Sequence, residues 1–408
     1  MQKLNKYHLL IIVLVFSNLM NAQNKKDSSA TKDKTLAKQW YETIAIRGYS
    51  QVRYNRLFET NSQLRCEQCD KSWGDNGGLF MRRMRVIING NLSERVYMYF
   101  QTDFASSASA NGLHFGQIRD AYFDLALDQH KTFRLRIGQS KVPFGFDNLQ
   151  SSQIRLPLDR SDAINSATAN ERDMGVFFYW APSKIRKLYS KLVSEGLKGS
   201  GDYGVFGTGI YNGQTANRPE ANNELHSVVR ITYPIELKGG QIIEGSLQAY
   251  TGKYVLTSDL RSTGVKGTNN FSYKDQRAAA SFILYPKPFG IQAEYSQGIG
   301  PQFNPSKDSI ETKKLEGGYV IVSYLLKVKN QVIIPFVRAQ YYSGGKKQEL
   351  DARSYNVHEM EYGIEWQPLK NFELTAMYTM SERRFEDYKL KNNFQKGSLL
   401  RLQAQLNF

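Results

Sequence analysis

Between residues 43 and 408 a period-two pattern of apolar and polar side chains marks about sixteen separate runs as candidate strands, with the alternation clear in several of them. The runs fall near 43–57, 79–91, 94–105, 116–127, 132–140, 173–181, 203–212, 225–235, 241–253, 276–285, 289–298, 316–327, 331–342, 357–367, 371–384 and 398–408. A period of two places successive side chains on opposite faces of a strand. Val96, Met98, Phe100 and Phe104 thus oppose Arg95, Tyr97, Tyr99, Gln101 and Asp103. Most runs are close to the roughly 9 to 11 residues that a tilted strand needs to cross a bilayer. A fold is required in which one face of every strand meets an apolar medium and the other a polar one.

The links between runs discriminate further, because their lengths alternate. Links after odd-numbered runs are long, at 58–78, 106–115, 141–172, 213–224, 254–275, 299–315, 343–356 and 386–397. Links after even-numbered runs are tight, as at Asn91 to Ser93, Asp128 to Lys131, Pro286 to Pro288, Val328 to Asn330 and Pro368 to Lys370. A soluble sandwich has no reason to keep that parity. A transmembrane antiparallel β-barrel does, with short periplasmic turns and long extracellular loops. The link 182–202 breaks the rule, being long where a turn is expected.

Both ends of the chain fit an all-β outer-membrane barrel. Lys3 and Lys6 precede an apolar run from Leu9 to Phe16, and Asn21, Ala22 and Gln23 follow, so residues 1–22 read as a secretory signal peptide. Residues 23–42, rich in lysine, read as a polar periplasmic extension, and 43–408 as the barrel. At the other end Leu400, Leu402, Ala404, Leu406 and Phe408 share one face and Arg401, Gln403, Gln405 and Asn407 the other. The aromatic terminus resembles the signal that assembly machinery reads on such barrels.

The formal charge of +16 falls by only two when Lys3 and Lys6 leave with the leader. An exported chain without a helix-turn-helix, zinc or RNA-binding signature is not a nucleic-acid binder. Positive charge lining a pore instead concentrates anions. The two cysteines, Cys66 and Cys69, lie in one loop; in an oxidising compartment a local disulfide is preferred to a metal site, which would need further ligands. His8, His114, His130, His226 and His358 show no spacing that marks a catalytic base, and no G-x-S-x-G elbow occurs.

If the aliphatic face meets lipid, Arg47, Arg53, Arg83, Arg85, Arg134, Arg136 and Arg401 point inward. Closure of the last strand on the first gathers Arg401, Arg47, Arg53, Arg83 and Arg85 into one basic wall. Glu244, Glu294, Glu359, Glu361, Glu365 and Glu373 face the lumen elsewhere. The link 141–172 is long enough to fold inward as a constriction, carrying Lys141, Arg155, Arg160 and Arg172 against Asp147, Asp159, Asp162 and Glu171. Guanidinium groups held there suit phosphate or carboxylate. They can equally pin the loop to the wall.

A family resemblance rests on this loop. The run RIGQSKVPFGFDNLQSSQ (136–153), LPLDR (156–160), ERDMGV (171–176) and IYNGQTANRPEANN (210–223) resemble the phosphate-selective porins O and P. The resemblance implies a sixteen-stranded barrel, often a homotrimer, passing phosphate or other small anions with no cofactor. Lys141 is the one lysine of the shared run advanced for the family's central lysine cluster. Outer-membrane lipid and lipopolysaccharide are the implied surroundings. Two functions are carried forward: a passive porin with a preference for anions, and a non-conducting barrel serving surface attachment or a secretion complex.

Overall fold

The computed structural model describes residues 39–66, 78–106 and 115–408. The expected leader, residues 23–38 of the polar extension, and Cys69 lie outside them. Trp40–Thr43 form a single 3-10 turn. The strands that follow are β1 (Ala45–Leu57), β2 (Gly78–Asn91), β3 (Val96–Ser106), β4 (Phe115–Ala126), β5 (Phe133–Lys141), β6 (Arg172–Trp180), β7 (Phe206–Tyr211), β8 (His226–Glu236), β9 (Ile242–Val255), β10 (Ser272–Leu284), β11 (Phe289–Asn304), β12 (Ser309–Tyr324), β13 (Leu326–Val328), β14 (Gln331–Gly345), β15 (Ser354–Leu369), β16 (Phe372–Glu386) and β17 (Phe394–Asn407).

All pair antiparallel with their neighbours in one sheet. The short β13 prolongs β12 and pairs with the same partner, β14, so the sheet has sixteen walls. β17 pairs with β1, Tyr49 opposite Asn407 and Tyr54 opposite Leu402. The N–H of Gly48 donates to the carbonyl of Phe408 at 2.8 Å and the N–H of Phe408 returns to Gly48 at 3.0 Å. Closure is what lipid demands, since a spanning strand has no water to satisfy a free edge.

The alternation read from the sequence is the inside–outside pattern of the wall. In β8, Val229, Ile231, Tyr233 and Ile235 are exposed to the surroundings while Val228, Arg230 and Thr232 are buried inside. One expected loop is corrected. Residues 299–315 are not a loop: β11 runs to Asn304 and β12 begins at Ser309, paired to the tip of the hairpin. Where strands rise above the membrane the outward face meets water in place of lipid, so polar residues, here Thr312, Lys314 and Glu316, stand exposed and the outward apolar half of the pattern disappears.

The lumen is partly filled by chain. Residues 142–171 fold into it, with short helices α1 (Phe146–Leu149) and α2 (Asp162–Asn165). The parity-breaking link carries helix α3 (Ser183–Ser194) at the periplasmic mouth. Each insertion covers an apolar patch on the inner wall. Val142, Phe144 and Ala167 pack on Phe177, Tyr179, Tyr211, Val228 and Tyr250. Leu156, Leu158 and Ile164 pack on Tyr319, Ile321, Ile334, Phe336 and Met377. Ile185, Tyr189 and Leu192 of α3 pack with Leu197 on Ile242, Ile283 and Tyr285. Apolar side chains do not face a wet lumen without cost, and these are the ones the insertions cover.

Candidate functional site

The constriction is built where the inward loop meets the first and last strands. Asp159 of the loop receives Arg53 at 3.2 Å, Arg401, and Arg82 at 3.8 Å. Arg401 also reaches Glu361 at 3.3 Å. Asp162 is held by Lys346 at 2.5 Å and Arg383 at 2.7 Å, and the N–H groups of Phe146 and Asp147 donate to Glu294 at 2.6 and 2.8 Å. Burial works against the charge of Asp162, but Arg383 and Lys346 outweigh it and lower its pKa to about 2. Acids delivered by the loop therefore neutralise part of the basic wall, which strand alternation alone does not reveal.

Two bulges enrich the site in arginine. Gln51 pairs with Arg83 and Val52 with Met81, so Arg82 is an extra residue in β2. Gln101 pairs with Asp120 and Thr102 with Ile118, so Arg119 is extra in β4. A bulge sets two successive side chains against one partner, and here it turns a second residue toward the lumen beside the regular one. Arg119 is buried next to Asp120, 3.5 Å from Glu171 and hydrogen-bonded to Asn170 at 3.0 Å. Strict alternation assigned neither arginine to the lumen.

The expected candidates divide into three groups. Arg85 pairs with Asp103 at 2.8 Å, Arg134 with Asp202 at 2.7 Å, and Arg136 with Asp124 through two bonds of 2.7 and 2.9 Å. Arg160 meets Glu171 at 2.7 Å and Arg172 meets Asp120 at 2.9 Å and Glu171 at 2.6 Å. These groups, with Arg53 and Arg401, are compensated. Lys141 holds the loop, donating to the carbonyls of Leu149 and Gln150 at 2.8 and 2.9 Å. Arg47 lies exposed near the periplasmic end of β1, 3.4 Å from Asn89.

Arg83 and Arg155 form the third group. Each is nine-tenths buried or more, at 5% and 6% exposure, and among the described residues neither has a carboxylate within ion-pair distance. Arg83 donates to Gln51 at 2.8 Å and its Nε has no partner. Arg155 donates to the carbonyls of Pro157 and Leu158 at 3.1 and 3.0 Å, leaving Nη1 without one. Arg83 feels Arg82, Arg85 and Arg155. Burial, with repulsion from Arg160, lowers the pKa of Arg155 to about 9. A buried cation that lacks an anion is costly, and an arriving anion relieves that cost.

The six predicted inward glutamates, Glu244, Glu294, Glu359, Glu361, Glu365 and Glu373, are all buried inside. Cys66 is engaged in a disulfide, and its expected partner Cys69 lies outside the described residues. Among the described residues no group of three His, Cys, Asp or Glu side chains is arranged to hold a metal.

A closed sixteen-walled antiparallel barrel, apolar outside and charged within, with a loop crossing its lumen, and a porin family model that matches most of the chain define an outer-membrane channel of the Gram-negative type. Solved structures share this fold at low identity. Salmonella typhi OmpF in complex with daunomycin matches with 12% identity and a TM-score of 0.55, covering 90% of this chain and 97% of its own. The outer-membrane channel DcaP of Acinetobacter baumannii matches with 14% identity and a TM-score of 0.53, covering 90% and 97%. OmpT of Vibrio cholerae in its trimer form matches with 8% identity and a TM-score of 0.51, covering 90% and 100%. No curated protein matches in sequence. The chain belongs to the phosphate-selective porin O and P family, whose model matches residues 61–408.

Proposed function

We propose that the channel is a passive porin whose constriction favours small anions, phosphate among them, and that it works as a homotrimer. The observation that carries the preference is the pair Arg83 and Arg155, buried with no carboxylate within ion-pair distance among the described residues and each with an unused N–H. Guanidinium groups bind oxyanions through such N–H groups, and their charge persists at neutral pH. The surrounding arginines are mostly paired, so they shape the field less than their number suggests.

Purified protein in a planar bilayer under a salt gradient tests this. Open-channel steps with an anion-favouring reversal potential are expected, together with current interruptions on adding inorganic phosphate. A cation-favouring reversal potential overturns the anion preference. A second reading, a non-conducting barrel, draws on the filling of the lumen from both mouths. Complete absence of steps would favour it.

A further inference from the structure

The two insertions leave one side of the inner wall without an apolar cover. The inward loop packs its apolar residues on β6–β10 and on β12, β14 and β16, and α3 packs on β9 and β10. In the periplasmic half of β3 and β4 three inward tyrosines, Tyr97, Tyr99 and Tyr122, stay partly exposed to the lumen. A wet wall is served by short polar side chains, so large rings standing open on it call for a reason.

The rings form an ordered row. Tyr99 pairs with Asn89 of β2 on one side and with Tyr122 of β4 on the other, and Tyr122 pairs with Gly138 of β5. Tyr99 and Tyr122 lie parallel, their centroids 5.1 Å apart and their planes within 12°. The guanidinium of Arg136, from β5, covers Tyr122 at 3.9 Å from its centroid, and Asp124 holds that guanidinium through bonds of 2.7 and 2.9 Å. A Cβ at Gly138 would stand 2.9 Å from the Cα of Tyr122, so glycine leaves the ring its place. The stack thus has a pinned end at Arg136 and an open end at Tyr99, on which no third ring is laid among the described residues. Asn89, the neighbour at that end, is shorter than a tyrosine and leaves the outer part of the ring uncovered. Arg47 reaches the same spot, its Nε 3.4 Å from the Oδ1 of Asn89; it is exposed and has no carboxylate within ion-pair distance among the described residues.

We propose that Tyr99, Tyr122 and Arg47 form a subsite for small aromatic carboxylates on the periplasmic side of the constriction. The ring of the solute stacks on the open face of Tyr99, already fixed by Tyr122 and Arg136, and its carboxylate meets Arg47. Asn89 and Tyr99 lie four residues below the paired Arg85 and Asp103 on the same two strands, about 13 Å by strand rise. A solute that leaves the constriction therefore meets the rings before it reaches the periplasm. Inorganic phosphate has no planar apolar face and gains nothing from them. The subsite rests on the channel reading above and adds to it a second class of solute.

Single channels of the full-length protein in a planar bilayer test this, with chloride carrying the current and benzoate or cyclohexanecarboxylate added on the periplasmic side. The two acids match in charge and ring size and differ in planarity. Benzoate is expected to halve the chloride current at a concentration roughly 2-fold to 10-fold below that of cyclohexanecarboxylate, the span that one aromatic stack supplies. Tyr99→Phe is expected to keep that ratio and Tyr99→Leu to bring it to one, whereas Arg47→Gln raises both concentrations alike. Equal blocking by the two acids in the wild type, or a ratio that Tyr99→Leu leaves unchanged, overturns the subsite while the chloride steps leave the porin standing. If no steps appear at all, the porin reading fails and the subsite with it.

Discussion

Arg155→Gln isolates the charge on which the anion preference depends. Arg155 has no carboxylate within ion-pair distance among the described residues, so neutralising it breaks no ion pair; it removes two hydrogen bonds to the carbonyls of Pro157 and Leu158. The loop keeps its anchors at Asp159 and Asp162. A unit charge about 5 Å from a permeating monovalent anion contributes about 0.8 kcal/mol in water and about 3 kcal/mol at an effective dielectric constant near 20. The constriction lies between those limits. At roughly 1.4 kcal/mol per factor of ten, anion permeability should fall about 4-fold to 100-fold, and the anion-to-cation ratio by more, since the cation gains what the anion loses. The assay is the reversal potential under a potassium chloride gradient, with Arg155→Lys as the charge-conserving control. An unchanged reversal potential in Arg155→Gln, or an equal fall in Arg155→Lys, would refute the assignment of the preference to this charge.

Asp159→Asn takes the loop's carboxylate away from Arg53 and Arg401, and should raise the anion preference while destabilising the protein by about 3 kcal/mol, read from denaturant midpoints in detergent. Phe144→Ala empties a buried position whose ring sits edge-on to Tyr250 at 5.0 Å; a loss of about 3 kcal/mol and noisier single-channel currents are expected. Asp162 has a lowered pKa, so its stabilising contribution is complete above the ordinary carboxylate range and is lost as pH falls through about 2. Conductance noise should therefore stay flat from pH 8 to 5 and rise only below about 4; a rise that begins above pH 5 contradicts the docking of the loop through this acid.

Much of the barrel was legible because lipid imposes a rule that every strand obeys. Arg53, Arg83, Arg85, Arg134, Arg136 and Arg401 could be placed inside from the parity of their apolar neighbours. The same rule hid Arg82 and Arg119, since a bulge adds a residue without altering the composition that alternation reads. It also said nothing of pairing. Whether Arg401 stands free or meets Asp159 depends on a contact 242 residues apart in sequence. One signal was available and carried the missing information: Phe177, Tyr179, Ile321 and Phe336 are apolar at inward positions, where a bare lumen would want polar groups. Such residues announce that chain will cover them, and the inward loop does so.

The bulge at Arg82 has a consequence for how such pores diversify. A substitution at a regular inward position trades one lumen side chain for another, and an outward one must still satisfy lipid. A single inserted residue does neither: Met81 still pairs with Val52 and Arg83 with Gln51, so wall and register survive on both sides. The charge of a barrel can thus be raised one step at a time by insertion, independently of loop length and of the lipid-facing surface. Deleting Arg82 should run that step backward, straightening β2 and lowering the anion preference in a protein that still folds and inserts.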